Sequence, residues 1–122
     1  MQPVDVILLF MVKHFICDFP LQASPYMYKN KGTYMHMGGL LHAWIHAVGT
    51  CTILSIIGVP TVLYSMCVLI DFIAHYHIDY FKVKVGKIYG LKPDNSEWFW
   101  VLLGFDQLLH FLTYYIIVRY IT

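Results

Sequence analysis

VLYSMCVLIDFIAHYHIDYFK, running from Val62 to Lys82, is the stretch whose reading decides the fold. As an α-helix rising about 1.5 Å per residue it is long enough for a hydrocarbon core of about 30 Å. Yet this apolar run carries Asp71, His75, His77 and Asp79. Four residues turn an α-helix by about 400°, so Asp71, His75 and Asp79 share one face. His77 points about 200° away from His75 and stays outside that face. The stretch reads as a membrane-crossing helix with one polar stripe.

The surrounding sequence repeats that arrangement three times. Apolar runs cover about 4–19, 38–57 and 97–120, with the quoted run extending over 60–81. Pro20 closes the first run, and Gly58-Val59-Pro60 makes a tight connection between the second and third. Asp94 and Glu97 have capping-box spacing before the fourth. The first run is short, at about 24 Å of rise. Backbone groups in lipid must be satisfied within the segment, which leaves helices. The expectation is an all-α polytopic membrane protein, an antiparallel bundle of four transmembrane helices forming one domain over 1–122.

Composition points the same way. Of the 122 residues 59% are hydrophobic and only 12% charged, and the mean hydropathy is +0.62. A soluble domain is nearer half apolar and a quarter charged. So few charges cannot cover a small domain in water, and a nucleic-acid module would need a basic face that a net charge of +1 does not supply. Cys17, Cys51 and Cys67 lie inside apolar runs, odd in number and without framework spacing, and read as reduced packing residues. The opening Met1-Gln2-Pro3-Val4-Asp5 has no basic lead, so no cleavable signal peptide is expected. Lys29, Lys31, Lys82, Lys84, Lys87 and Lys92 fall between the first and second or the third and fourth runs. The positive-inside rule places both those loops in the cytoplasm.

The intramembrane polar residues come in pairs four apart. They are His14 and Asp18, His42 and His46, His75 and Asp79, and Asp106 and His110. Each pair lies on one helix face, the spacing by which a helix offers two ligands to one ion. Taken singly, such a pair also serves as hydrogen-bonded glue between helices. In an antiparallel bundle, however, all four fall in the half next to the lysine-bearing loops. An ionisable group in the membrane costs roughly 2.5–3.5 kcal/mol on insertion scales and marks function by default.

Those eight residues are the expected metal ligands. Three aspartates among five neutral imidazoles leave three negative charges, which two divalent cations and a hydroxide would bring to zero. Mixed nitrogen and oxygen donors suit one or two ions of zinc, manganese or iron. Asp71, one turn deeper, is expected to orient His75. Lys82 can hold a phosphate as a point charge, although a lysine there also snorkels. Gln107 and Gln22 can hydrogen-bond a substrate or a ligand. His36 reads as a solvated loop histidine. Phe111, Tyr114 and Tyr115 read as packing or lipid-facing groups, and Gly38, Gly39 and Gly49 as sites of close helix approach. No phosphate-binding glycine loop, nucleophile elbow or Cys-x-x-Cys pair is present.

In His14-Phe15-Ile16-Cys17-Asp18-Phe19-Pro20-Leu21-Gln22, His42-Ala43-Trp44-Ile45-His46, His75-Tyr76-His77-Ile78-Asp79-Tyr80-Phe81-Lys82 and Asp106-Gln107-Leu108-Leu109-His110, the chain resembles domain of unknown function 3307. That is a family of small phage and bacterial integral membrane proteins. The chain is more distantly similar to membrane-bound metal-dependent hydrolases. The resemblance implies a polytopic inner-membrane protein, phage-encoded in some members, and names no substrate.

Three functions fit these residues. The leading one is a metal-dependent hydrolase of a lipid-linked or membrane-proximal ester or phosphoester at the cytoplasmic face, with Lys82 and Gln107 contacting substrate. The second is a metal-ion or proton transport or binding protein. The third is a small phage membrane effector whose metal only staples the bundle. Membrane lipids are the expected surroundings, and so thin a bundle is compatible with a homo-oligomer.

Overall fold

A computed structural model describes all 122 residues. The chain is all-helical: α1 (Pro3–Asp18), a 3-10 turn (Pro20–Gln22), α2 (Pro25–Tyr28), α3 (Met37–Ile57), α4 (Thr61–Ile88) and α5 (Glu97–Ile121). Three helices, α3, α4 and α5, are long and apolar enough to cross a membrane. Of the four expected spans, the first is the one that falls short of that length. α1 has only 16 residues, and the loop after it folds into two short helical turns that the apolar pattern did not reveal.

Local chemistry sets most of the boundaries. α1 begins with Pro3 at its first position, and the Gln2 backbone N–H donates to the Asp5 carboxylate at 3.1 Å. His36 is the N-cap of α3, its Nδ1 accepting from the Gly38 N–H at 2.9 Å; it is half-buried rather than a solvated loop residue. Gly58, at φ 72°, ends α3 in the left-handed conformation that glycine adopts without strain. The expected Asp94 cap is displaced by two residues: Ser96 caps α5, its hydroxyl accepting from the Trp98 N–H at 3.1 Å. α4 continues past Phe81 to Ile88, so Lys82, Lys84 and Lys87 stand on a helix rather than in a loop.

The four long helices close a ring, each packing on two others in the order α1, α3, α4, α5 and back to α1. Its interior is layered. At the end holding the α1 N-terminus, Val6, Phe10, Ile53, Leu54, Cys67, Tyr114, Ile117 and Val118 form the apolar core. At the other end the interior is polar, and eleven of the 26 buried residues are polar or charged. The outer face is the reverse, with Leu8, Phe15, Trp44, Val62, Leu69 and Ile116 among its exposed residues. A soluble monomer does not expose apolar surface on that scale; lipid is the solvent that matches it. Lengths, composition and surface are those of an integral membrane protein.

Candidate metal centre

α1 and α3 present His14, Asp18, His42 and His46 near the lysine-rich end of the ring. α4 and α5 bring His75, Asp79, Asp106 and His110 to the same level. Seven of these eight residues are buried, and Asp18 is nearly so. The helical spacing therefore does what the sequence predicts, and all eight side chains converge.

Their donor atoms form overlapping groups. One atom each from Asp18, His42, His46 and His75 lies within 4.8 Å of the others; so do those of Asp79, Asp106 and His110, and those of His14, His75 and His110. The Asp18 Oδ1 is 2.8 Å from His46 Nε2, 3.0 Å from His42 Nε2 and 3.8 Å from His75 Nε2. The Asp79 carboxylate is 3.3 Å from both His42 and His75 Nε2 and 3.2 Å from His110 Nε2. His110 Nε2 is 3.5 Å from Asp106 Oδ1. Two nitrogens on one tetrahedral zinc, with bonds of about 2.0–2.1 Å, lie about 3.3 Å apart. The separations bracket that value.

Hydrogen bonding alone does not satisfy this arrangement. An imidazole nitrogen carries either one proton or one lone pair. His42 Nε2 faces Asp18 Oδ1 at 3.0 Å, His75 Nε2 at 3.1 Å and Asp79 Oδ2 at 3.3 Å. With its proton on Nε2, His42 donates to Asp18 and stands against the Nε2 of His75, whose acceptor is Asp79 Oδ2 at 3.3 Å; with the proton on Nδ1 it has no acceptor at all. The Nδ1 atoms of His42, His46 and His75 make no hydrogen bond, so these rings direct their polar chemistry through Nε2 into the cluster.

The family model described as "Protein of unknown function (DUF3307)" matches residues 6–122. The chain belongs to that family. No curated protein and no solved structure matches it, so the more distant hydrolase similarity gains no named relative.

In this DUF3307 chain the remaining sequence-derived residues are placed as follows. Gln107 lies between Asp106 and His14: its Nε2 donates to Asp106 Oδ2 at 2.9 Å, and its Oε1 is 3.0 Å from His14 Nε2. Lys82 Nζ is 3.7 Å from Asp106 Oδ2. Gln22 Nε2 donates to the Asp18 carbonyl at 2.8 Å, which secures the end of α1. His77 lies outside the cluster, with its Nε2 3.0 Å from the Tyr34 hydroxyl.

Asp71 does not orient His75. Its carboxylate accepts from Lys13 Nζ at 2.8 Å and from the Thr50 hydroxyl, one layer below the histidines. Lys13 also donates to Thr50 Oγ1 at 3.2 Å, and its ammonium sits 4.5 Å from the Tyr114 ring centre. The stronger attraction of an ammonium for the carboxylate explains the difference. Gly49 makes room for the lysine stem, since a Cβ there would stand 2.7 Å from Lys13 Cγ.

Sequence reasoning missed four residues here. Lys13 was legible as a lone cation in an apolar run, needing an anion at its own depth. Tyr114 follows His110 by four residues on the same face; it is buried, and its hydroxyl lies 2.8 Å from His14 Nδ1, not against lipid. Thr50 follows His46 by the same interval. Lys31 gave no signal beyond loop charge, yet it is buried with Nζ 2.8 Å from Asp79 Oδ2. Lys31 and Lys82 also change the charge balance. They offset two of the three carboxylates, so the cluster with neutral imidazoles carries one negative charge rather than three.

Proposed function

We propose that the chain is a membrane-embedded metalloprotein, probed best as a hydrolase of a lipid-linked or membrane-proximal ester or phosphoester at the cytoplasmic face. The observation that carries the metal reading is the convergence of five imidazoles and three carboxylates on one level, with two Nε2 atoms 3.1 Å apart. Zinc, manganese or iron(II) suits the donor set. In this reading α1 is a fourth membrane helix, tilted or seated in a thinned bilayer. The lysines of α4 and of both long loops face the cytoplasm of a bacterial host.

The grouping of donors supports hydrolysis. Asp18, His42, His46 and His75 supply four ligands, the complement of a closed site. Asp79, Asp106 and His110 supply three, the number that leaves a catalytic ion one open position. Such an ion supplies Lewis acidity and an activated water near neutral pH. Lys82 and Gln107 flank Asp106, where they can hold an anionic oxygen of the substrate. With the charge balance close to neutral before any ion binds, a divalent cation leaves a surplus that an anionic substrate offsets. The apolar core formed by Phe10, Leu54, Ile117 and their neighbours seals the opposite half of the ring, which favours hydrolysis over ion passage.

The test is turnover of p-nitrophenyl phosphate, p-nitrophenyl acetate and a phospholipid by detergent-purified protein loaded with each metal. The reading expects hydrolysis of at least one probe, lost on chelation, restored by metal and absent in Asp106→Asn. Stoichiometric metal with no metal-dependent turnover would contradict the hydrolase and leave a structural centre.

A further inference from the structure

Beyond the histidine cluster, a cavity of about 430 Å³ lies between the end of α4 and the start of α5. Three lysines line it, Lys82, Lys87 and Lys92, together with Val83, Phe99 and Leu102. Lys82 has a carboxylate partner in Asp106 at 3.7 Å, whereas Lys87 and Lys92 pair with no acid. Lys87 and Lys92 are exposed, so their ammonium groups stand at the rim of an apolar-walled cavity, a surface that complements an anion attached to something greasy.

The adjoining surface supplies a place for the greasy part. Leu91 and Leu102 also border a second groove of about 530 Å³, lined entirely by apolar and aromatic side chains that include Val85, Trp98 and Phe105. A third, of about 280 Å³, shares Lys82 and Leu102 with the first and reaches Asp106. Charge and apolar surface are thus arranged as in an amphiphile, the lysines beside the chain connection Tyr89–Ser96 and the apolar slots running along the helices.

We propose that the α4–α5 cavity binds a phosphate-bearing lipid, its headgroup held by Lys82, Lys87 and Lys92 and an acyl chain lying in the groove beside Trp98. The charge and shape of the cavity carry this, and it stands whether or not the histidine cluster holds a metal. Because Lys82 touches Asp106, a headgroup there lies next to the candidate centre.

Trp98 reports on the groove. A Trp44→Phe/Trp100→Phe background leaves it as the single tryptophan. In nanodiscs of phosphatidylcholine, a small fraction of brominated phosphatidic acid is expected to quench Trp98 more strongly than the same fraction of brominated phosphatidylcholine. Lys87→Gln and Lys92→Gln should each lower the apparent affinity for the anionic lipid about fivefold, with helical content unchanged. Inorganic phosphate at millimolar concentration should leave the quenching in place. Equal quenching by both lipids, or a preference that survives when Lys87→Gln and Lys92→Gln are combined, would overturn the proposal. Reversal by inorganic phosphate would overturn it too, marking a site for a soluble anion.

Discussion

Two polar layers lie one turn apart in the same ring of helices, and they are built on different principles. In the lower layer Lys13, Asp71 and Thr50 face one another, with opposite charges equal in number and the ammonium and carboxylate bonded to each other and to the hydroxyl. In the upper layer five imidazoles and three carboxylates converge with their Nε2 atoms facing inward, and neighbouring nitrogens stand as close as 3.1 Å. Burial alone does not separate the two, because both are almost inaccessible. What differs is completeness. The first layer is closed by its own hydrogen bonds, whereas the second leaves the Nδ1 atoms of His42, His46 and His75 without a partner and sets two Nε2 atoms against each other.

The largest effect that would break this comparison belongs to the lower layer. Asp71→Ala leaves a buried ammonium unpaired and should cost about 3–5 kcal/mol, read as a lower unfolding temperature in detergent. The Lys13→Met/Asp71→Leu double variant should recover most of that loss, since an apolar pair of similar volume replaces a satisfied ion pair at little net cost. If the double variant unfolds as readily as Asp71→Ala, the lower layer is not a self-contained pair.

Next in size is a metal effect confined to the upper layer. Zinc at 100 times its dissociation constant should stabilise the native chain by about 2.7 kcal/mol. His46→Ala should abolish that gain, while Lys13→Met/Asp71→Leu keeps it. Equal zinc responses in both variants would erase the distinction between the layers.

Tyr114 sharpens the boundary between them, because its ring faces Lys13 and its hydroxyl faces His14. Tyr114→Phe removes only the hydroxyl. It should weaken metal affinity about tenfold, the lower end for loss of an outer hydrogen bond, here the one that steadies His14 against Asp18, and leave the Lys13 contact intact. Unchanged affinity would show that His14 does not hold Asp18 in place. The smallest effect is steric. Gly49→Ala should destabilise the native chain by about 1 kcal/mol through its clash with the Lys13 stem, and should cost less in a Lys13→Ala/Asp71→Leu background, where Cγ and Cδ are gone.

The sequence was informative where periodicity governs. Helical spacing of His14 and Asp18, His42 and His46, His75 and Asp79, and Asp106 and His110 placed every one of them in the cluster, because an α-helix fixes residues four apart on one face whatever surrounds it. It was less informative where partners come from elsewhere in the chain. Asp71 lies on the same face as His75, but its partner is set by Lys13 on another helix, 58 positions away. Lys31 reaches Asp79 only because the segment after α2 folds back over the end of the ring, with the Met35 N–H donating to the Tyr76 hydroxyl at 2.6 Å. That path has no periodic signature. The 16 residues of α1 stayed the hardest to read, since their length falls between a spanning helix and a buried one.

Metal content is the direct test of the central claim. Elemental analysis of detergent-purified protein should find near-stoichiometric zinc, manganese or iron in the native chain and in Lys13→Met/Asp71→Leu, and background levels in His46→Ala, Asp79→Ala and His110→Ala. The same background in all five proteins, including after incubation with each metal, would contradict a shared ion and leave the upper layer as polar contacts between helices.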